Sequence, residues 1–231
     1  MLPVAILMGG MATRLGDITR TIPKSLVDIN GEPFLAHQLR LLYSRGIRKA
    51  VLCVGHLGGQ IRDFAGDKAF GIDLLYSFDG PKLRGTGGAI HQALPLLGDA
   101  FFVLYGDSYL PIDYVRVLRC FEDSGKPGLM TVYRNHDAWD ASNVEFAGGR
   151  IVRYDKRART PAMQHIDYGL GVFKAEAFQG IGPEESIDLA QVFQRLLAAD
   201  QLAACEIEER FYEIGSVSGI EDLSRALRAG L

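Results

Sequence analysis

The chemistry of this chain gathers where apolar runs end. Val4-Ala5-Ile6-Leu7 leads into Gly9-Gly10-Met11-Ala12-Thr13-Arg14-Leu15-Gly16, and Pro23-Lys24-Ser25-Leu26 follows soon after. A glycine-rich turn after a buried strand lets backbone N–H groups approach a phosphate closely, and Arg14 and Lys24 would add two positive charges. Taken alone, the same residues also make a tight strand-to-helix turn with two surface cations. Neither GxxxxGK[ST] nor a GxGxxG after a strand is present, so the two commonest phosphate loops are excluded. Asp107 follows a second buried run, Phe101 to Leu104, and the turn residue Gly106, so its carboxylate emerges at the same sheet edge as Gly9 and Gly10. A hard carboxylate there can hold Mg²⁺, which needs one or two protein carboxylates plus substrate phosphates. The alternative is a turn aspartate, and the glycine loop at the same edge favours the metal.

Other reactive side chains give weaker patterns. Arg150, Arg153, Lys156, Arg157 and Arg159 form a charged run that composition alone reads as a solvated face. His37, His56, His91, His136 and His165 show no paired ligand spacing; His56 alone ends a strand, Val54-Gly55-His56, at the edge in question. Trp139 stands among polar residues as a lid or a packing anchor. Cys53, Cys120 and Cys205 are odd in number and far apart, so they build neither a disulfide framework nor a CxxC knuckle, and they fit a reducing, cytoplasmic setting.

Several of these segments together resemble the sugar-1-phosphate nucleotidyltransferases. Leu7-Met-Gly-Gly-Met-Ala-Thr-Arg-Leu, Pro23-Lys24-Ser-Leu and Asn30-Gly31-Glu-Pro33-Phe are similar to that family's opening signature. Gly85-Thr86-Gly87-Gly88-Ala89 resembles its base-contacting turn and Tyr105-Gly106-Asp107-Ser108 its metal-carboxylate segment. Asp155-Lys156 resembles its sugar-phosphate lysine segment, and Phe211-Tyr-Glu213-Ile-Gly215 its second metal segment. The order is the family's, across nearly the whole chain, and the Gly-Thr-Gly-Gly-Ala-Ile run is most similar to the heptose 1-phosphate guanylyltransferases. The resemblance implies transfer of a nucleotide from an NTP to a sugar 1-phosphate with Mg²⁺, and it names neither nucleic acid nor membrane as a partner. It implies Arg14, Lys24 and Asp107 as catalytic residues, and Leu7, Gly9, Gly10, Thr13, Gly85, Thr86 and Gly88 around the nucleotide. Asn143, Asp155, Lys156, Asp167 and Gly169 would take the sugar phosphate, and Asp107 with Glu213 the metal. Four positions depart from the family pattern: Ala12 and Asn143 stand where glycine is usual, Glu213 where aspartate is, and Asp167 where asparagine is commoner. Two other functions compete, a nucleotide-sugar glycosyltransferase and a nucleotide-sugar sensor without turnover. Asp107-Ser108-Tyr109 lacks the Asp-x-Asp of the former, and only Ala12 and Glu213 speak for the latter.

The elements that must hold these residues read as α/β. Val4 to Leu7, Ala50 to Val54, Asp73 to Ser77 and Phe101 to Leu104 predict buried strands, with helices predicted over Pro33 to Arg45 and Thr86 to Leu94. That rhythm implies right-handed crossovers and a mainly parallel sheet, covered on both faces. From about Gly128 short strands, Leu129 to Tyr133, Val144 to Phe146, Ile151 to Tyr154 and Leu170 to Phe173, predict antiparallel pairing, with a turn at Gly148-Gly149. A helix through Leu189 to Leu197 and another capped by Ser218 and Glu221 close the pattern. The family likeness implies a Rossmann-like sheet sandwiched by helices, with a small antiparallel sugar-binding lobe. The expected organisation is one domain over 1–231, with a nucleotide lobe at 1–127 and a sugar-phosphate lobe with the C-terminal helices at 128–231. The 231 residues are 48% hydrophobic, which is enough for a core and excludes disorder. A net charge of -3 gives no basic footprint for a duplex, and no apolar stretch reaches a membrane span. The residues set no oligomeric state.

Overall fold

The computed structural model describes residues 1–10, 21–80, 84–182 and 184–231. Its centre is a parallel set of four strands: β1 (Val4–Met8), β4 (Lys49–Val54), β6 (Ile72–Phe78) and β7 (Ala100–Tyr105). Strand β1 pairs in parallel with β4 on one side and β7 on the other, and β6 continues beyond β4. Between them run α1 (Phe34–Ser44), α2 (Gly58–Ala65) and α3 (Gly85–Leu97), with the short hairpin β2 (Asp28–Ile29) and β3 (Glu32–Pro33) ahead of α1 and the two-residue β5 (Lys68–Ala69) ahead of β6.

Side-chain alternation along the strands feeds two cores. Val4 and Ile6 of β1 pack with Leu35, Leu39 and Leu42 of α1, while Ala5 faces Ala89, Ile90 and Ala93 of α3. Each fully buried leucine of α1 contributes about 2 kcal/mol of transfer free energy. Pro33 precedes α1 with φ -58, a conformation already suited to the first turn, where its missing N–H costs nothing.

The second half extends the same sheet instead of forming a separate one. β12 (His165–Lys174) pairs antiparallel with β7, and with β9 (Gly128–Arg134) and β10 (Val144–Ala147); β11 (Arg150–Tyr154) lies outside β10. The expected turn at Gly148 and Gly149 has φ of +57° and +75°, which glycine adopts freely. The expected strand at Leu170 to Phe173 is the end of a longer one, interrupted by a register shift between Asp167 and Gly171. Gly169, at φ +99°, lies in that interruption.

Besides several two-residue strands, three longer elements lay outside what the sequence predicts: α2, α4 (Tyr114–Ser124) and β13 (Leu202–Ile207), the last pairing in parallel with β9. α4 is capped by Asp113, whose side chain accepts from Val115 N and Arg116 N, and it buries Tyr114, Val117 and Phe121. α5 (Leu189–Ala198) carries a capping box made by Asp188 and Gln191. The last helix, α6 (Val217–Arg228), starts earlier than its sequence signal: Ser216 accepts from Gly219 N, and Ser218 lies inside the helix. Cys120 and Cys205, far apart in the sequence, meet where α4 packs on β13, with the Cys205 thiol donating to Cys120 Sγ at 2.9 Å. No helix among the described residues is long and apolar enough to cross a membrane.

Candidate active site

After β1 the chain builds outward to β4 and β6, then returns through α3 to β7 on the other side of β1. Such a reversal opens a crevice at the carboxyl ends of the strands, and a cavity of about 390 Å³ lies there. Gly9 and Gly10 after β1, Tyr105 at the end of β7, and Gly106 and Asp107 after it line this cavity. Gly106 N donates to Leu7 O at 2.9 Å, and a Cβ on Gly106 would come within 2.5 Å of that oxygen. Glycine is therefore what lets β7 hand Asp107 to the edge beside β1.

Lys24 enters from a 3-10 turn, Lys24–Leu26, that follows Pro23. Its Nζ donates to Asp107 Oδ2 at 2.5 Å, with both side chains partly shielded from water. The segment after Asp107, β8 (Ser108–Tyr109), pairs antiparallel with β14 (Tyr212–Glu213), and Ile214 N donates to the Asp107 carbonyl at 3.0 Å. That ladder sets Glu213 opposite Ser108, so two carboxylates and one ammonium share a small volume. Burial first, and then the negative charges of Asp107 and Asp140, push the Glu213 carboxyl up to about 7, with Lys24 opposing. A Cβ at Gly215 would lie 3.4 Å from Lys24 Nζ. From α1, buried Gln38 donates to the carbonyls of Ser108 at 2.8 Å and Tyr105 at 3.3 Å, fixing the backbone on either side of Asp107.

Asp79, directly after β6, also lines the cavity, and it is only 6% exposed. Burial raises its carboxyl above the ordinary aspartate range, with Arg84 opposing, and its oxygens make no hydrogen bond with the described residues. A Cβ on Gly9 would sit 3.0 Å from Asp79 Oδ2, so Gly9 leaves the room that this carboxylate occupies.

A second cluster lies across the Tyr105 ring. Lys156 Nζ stands 5.3 Å from that ring's centroid and 3.9 Å from Asp167 Oδ2. Tyr154 donates its hydroxyl to Asp167 Oδ2 at 3.1 Å, while Gly169 N donates to Asp167 Oδ1 at 3.2 Å. Asn143 clips this cluster together: its Oδ1 accepts from Asp167 N at 2.9 Å and its carbonyl from Asp155 N at 3.0 Å. Asp155 Oδ1 accepts from the backbone N–H groups of Arg157 and Ala158, both at 2.8 Å, and these bonds hold its carboxyl below the usual range. Asp155 thus shapes the turn that carries Lys156. Burial and the charge of Asp167 raise the Tyr105 phenol well above its ordinary value, so it stays protonated.

Residues 4–230 match the profile of the family described as Nucleotidyl transferase. The chain belongs to that family. It is 27% identical over 210 residues to a D-glycero-alpha-D-manno-heptose 1-phosphate guanylyltransferase of Campylobacter jejuni, covering 91% of this chain and 93% of that protein. It is 28% identical over 234 residues to a glucose-1-phosphate thymidylyltransferase of Streptomyces antibioticus, covering 96% of this chain and 65% of that protein. Several further relatives are longer than this chain, which spans about 60% of their length. The structure of HddC from Yersinia pseudotuberculosis complexed with GMP-PN superimposes with a TM-score of 0.83 at 21% identity, over 98% of this chain and 100% of that one.

In this nucleotidyl transferase the cavity brings together Leu7, Gly9, Gly10, Lys24, Gly85, Thr86 and Asp107 of the expected nucleotide and catalytic residues. Thr13, Arg14 and Ala12 lie outside the described residues. The glycines of the Gly85 turn have a packing duty as well. A Cβ on Gly85 would meet Ile187 O at 2.6 Å, and one on Gly88 would meet Glu185 O at 2.9 Å. Thr86 Oγ1 accepts from Leu189 N at 2.7 Å, which ties the turn to the start of α5. His56 lines the cavity. Trp139 is stacked on Arg210, whose guanidinium carbon lies 3.4 Å from the ring centroid and which also pairs with Asp222. Asp79 and Gln38 were missed: Asp79 follows a strand as Asp107 does, whereas nothing local marks Gln38 as buried.

Proposed function

We propose that this nucleotidyl transferase joins a nucleoside triphosphate to a sugar 1-phosphate, giving an NDP-sugar and pyrophosphate. The observation that carries the reading is the pairing of Lys24 with Asp107 at the cavity, with Glu213 close enough to feel both charges and Lys156 against the Tyr105 ring. The family match supports the same chemistry. Residues 1–127 would form the nucleotide lobe and 128–231 the sugar-phosphate lobe of a single domain.

Asp107 and Glu213 are the residues that would hold Mg²⁺. The fit rests on the burial, and then the neighbouring charges of Asp107 and Asp140, that push Glu213 up to about 7, and on the hard oxygen donors of both side chains. Among the described residues no group of three or more His, Cys, Asp or Glu suits a metal, so substrate phosphates and water would complete the shell. The ion supplies charge neutralisation and polarisation at the nucleotide phosphates.

The chain's own work is positioning. A sugar 1-phosphate has a second pKa of about 6 and is largely dianionic at neutral pH, so it attacks the α-phosphorus without a general base. The attacking oxygen forms the new P–O bond while pyrophosphate leaves with its electron pair. Lys156 orients the nucleophile, and Tyr105 separates it from the nucleotide cavity. Lys24, with Arg14 from the sequence pattern, neutralises charge at the α-phosphate, and the backbone at Gly9 and Gly10 cradles the phosphates. Asn143, Asp155, Asp167 and Gly169 would hold and present the Lys156 side of the site, with Asp167 free to exchange its contact with Lys156 for one with a sugar hydroxyl. Asp79 supports GTP: guanine offers two adjacent N–H donors on its Watson–Crick edge, which suit a carboxylate that makes no hydrogen bond with the described residues. A heptose or hexose 1-phosphate is the matching acceptor, in line with the guanylyltransferase relative.

The test is pyrophosphate release from four NTPs against a panel of sugar 1-phosphates, with Asp107→Asn as control. GTP-dependent release that Asp107→Asn abolishes while circular dichroism is unchanged is the expected result. Transfer from an NDP-sugar without pyrophosphate would assign a glycosyltransferase instead, and nucleotide-sugar binding without turnover a sensor.

A further inference from the structure

Three cysteines lie among the described residues, and two of them touch. Cys120 projects from α4 and Cys205 from β13, 85 positions apart, with their sulfurs 2.9 Å from one another. Cys120 is partly exposed, whereas Cys205 is 3% exposed behind it. Cys53 is buried in β4, on a different part of the sheet. A disulfide requires sulfurs about 2.05 Å apart, so closure needs roughly 0.9 Å of approach, within reach of side-chain rotation.

We propose that Cys120 and Cys205 are a redox modification site that closes to an intramolecular disulfide in the presence of a low-molecular-weight disulfide such as oxidised glutathione. The exposure difference sets the order of events. Cys120, as thiolate, attacks one sulfur of oxidised glutathione, forming a mixed disulfide and expelling one glutathione thiolate. Cys205 then loses its proton to solvent and attacks Cys120 Sγ, expelling the second glutathione thiolate. Two protein thiols are oxidised and one oxidised glutathione becomes two reduced ones, so electrons and atoms balance.

The bond has a structural consequence near the active site. α4 follows the Asp107 turn, and β13 precedes the strand that carries Glu213. A cross-link between them braces the two chain segments whose β8–β14 ladder holds the carboxylates together. It also closes a loop of about 85 residues in the unfolded chain, the kind of long loop for which cross-linking restricts the denatured ensemble most.

The experiment treats the full chain with oxidised glutathione and reads intact mass, thiols titrated after denaturation, and thermal midpoint. The expected result is a loss of about 2 Da, one remaining thiol, a midpoint raised by at least about 5 °C, and reversal by dithiothreitol. Digestion without reduction should yield a peptide pair joining Cys120 to Cys205. Cys205→Ser should stop at a single glutathione adduct on Cys120, and Cys120→Ser should take up none. Three free thiols after treatment, or wild-type protein that stops at the Cys120 adduct, would overturn the proposal. The peptide map decides the matter in the wild type even where a serine variant fails to fold.

Discussion

At the scale of single residues, charge and reach decide which substrate fits. Asp79 is a nearly buried carboxylate with no hydrogen bond to the described residues, raised above its ordinary range because burial outweighs the pull of Arg84. Two N–H donors from one base would pay that desolvation cost, and guanine presents such a pair; a bidentate pair of this kind discriminates by about 1–3 kcal/mol. Asp79→Asn is therefore expected to lower kcat/KM for GTP by about 10- to 100-fold while changing that for UTP or dTTP less. Steady-state kinetics with each NTP checks this, and an unaltered base ranking would remove Asp79 from base selection. Lys156 is proposed to serve the other substrate. Lys156→Ala should raise KM for the sugar 1-phosphate by about 10-fold or more and leave KM for the nucleotide near its wild-type value, because Lys156 lies against the Tyr105 ring and does not line the nucleotide cavity. Lys24, Asp107 and Lys156 were legible because their segments occur in an order that the family shares. Asp79 and Gln38 were not, since their meaning comes from what packs around them: a cavity wall in one case, two carbonyls beside Asp107 in the other.

At the scale of elements, the turn that opens α3 is held as much by protein as by any ligand. Gly87 N and Gly88 N donate to Ile187 O at 2.9 and 3.2 Å, and Ile187 N donates back to Arg84 O at 2.9 Å. Gly85, at φ +69°, sits under that carbonyl with no space for a side chain. Gly85→Ala should therefore cost stability, by about 1–3 kcal/mol, as well as nucleotide affinity. Urea midpoints measured without nucleotide test the stability part; an unchanged midpoint would mean that the turn and the strap before α5 can move apart freely. The central strands and α1, α3 and α5 were readable from apolar runs and helical spacing, because each is buried along one face or both. α4 was missed although Asp113 and Gly125 flank it, since its buried stripe is only Tyr114, Val117 and Phe121. β13 was missed because Leu202 to Ile207 has no turn signal that sets it against β9, its parallel partner across a long separation. The expected cap at Ser218 was displaced to Ser216, whose extended backbone, φ -144 and ψ 165, suits an N-cap.

At the scale of the whole molecule, the proposed boundary near residue 128 would divide functions without dividing the sheet. β12 belongs to the second half, yet it pairs with β7 of the first half from Leu170 to Lys174, and Phe102, Leu104, Leu170 and Val172 share one core with α1 and α4. The rhythm change at Gly128 and antiparallel strands laid onto the sheet were visible in the sequence; the pairing of β12 with β7 was not, because nothing in the order of short strands says which earlier strand they will flank. A unit joined by a ladder and a common core loses both halves together, since separating them would strip β7 of its partner and expose buried phenylalanine and leucine to water. Unfolding is accordingly expected as one transition. Trp139, the single tryptophan, reports on the second half through its stacking with Arg210, while far-ultraviolet circular dichroism reports on all the helices, including α1 to α3 of the first half. Urea titrations followed by tryptophan fluorescence and by circular dichroism should give the same midpoint and the same slope. A fluorescence transition that precedes the dichroism would show the sugar-phosphate half releasing first, and would make the two lobes separate folding units.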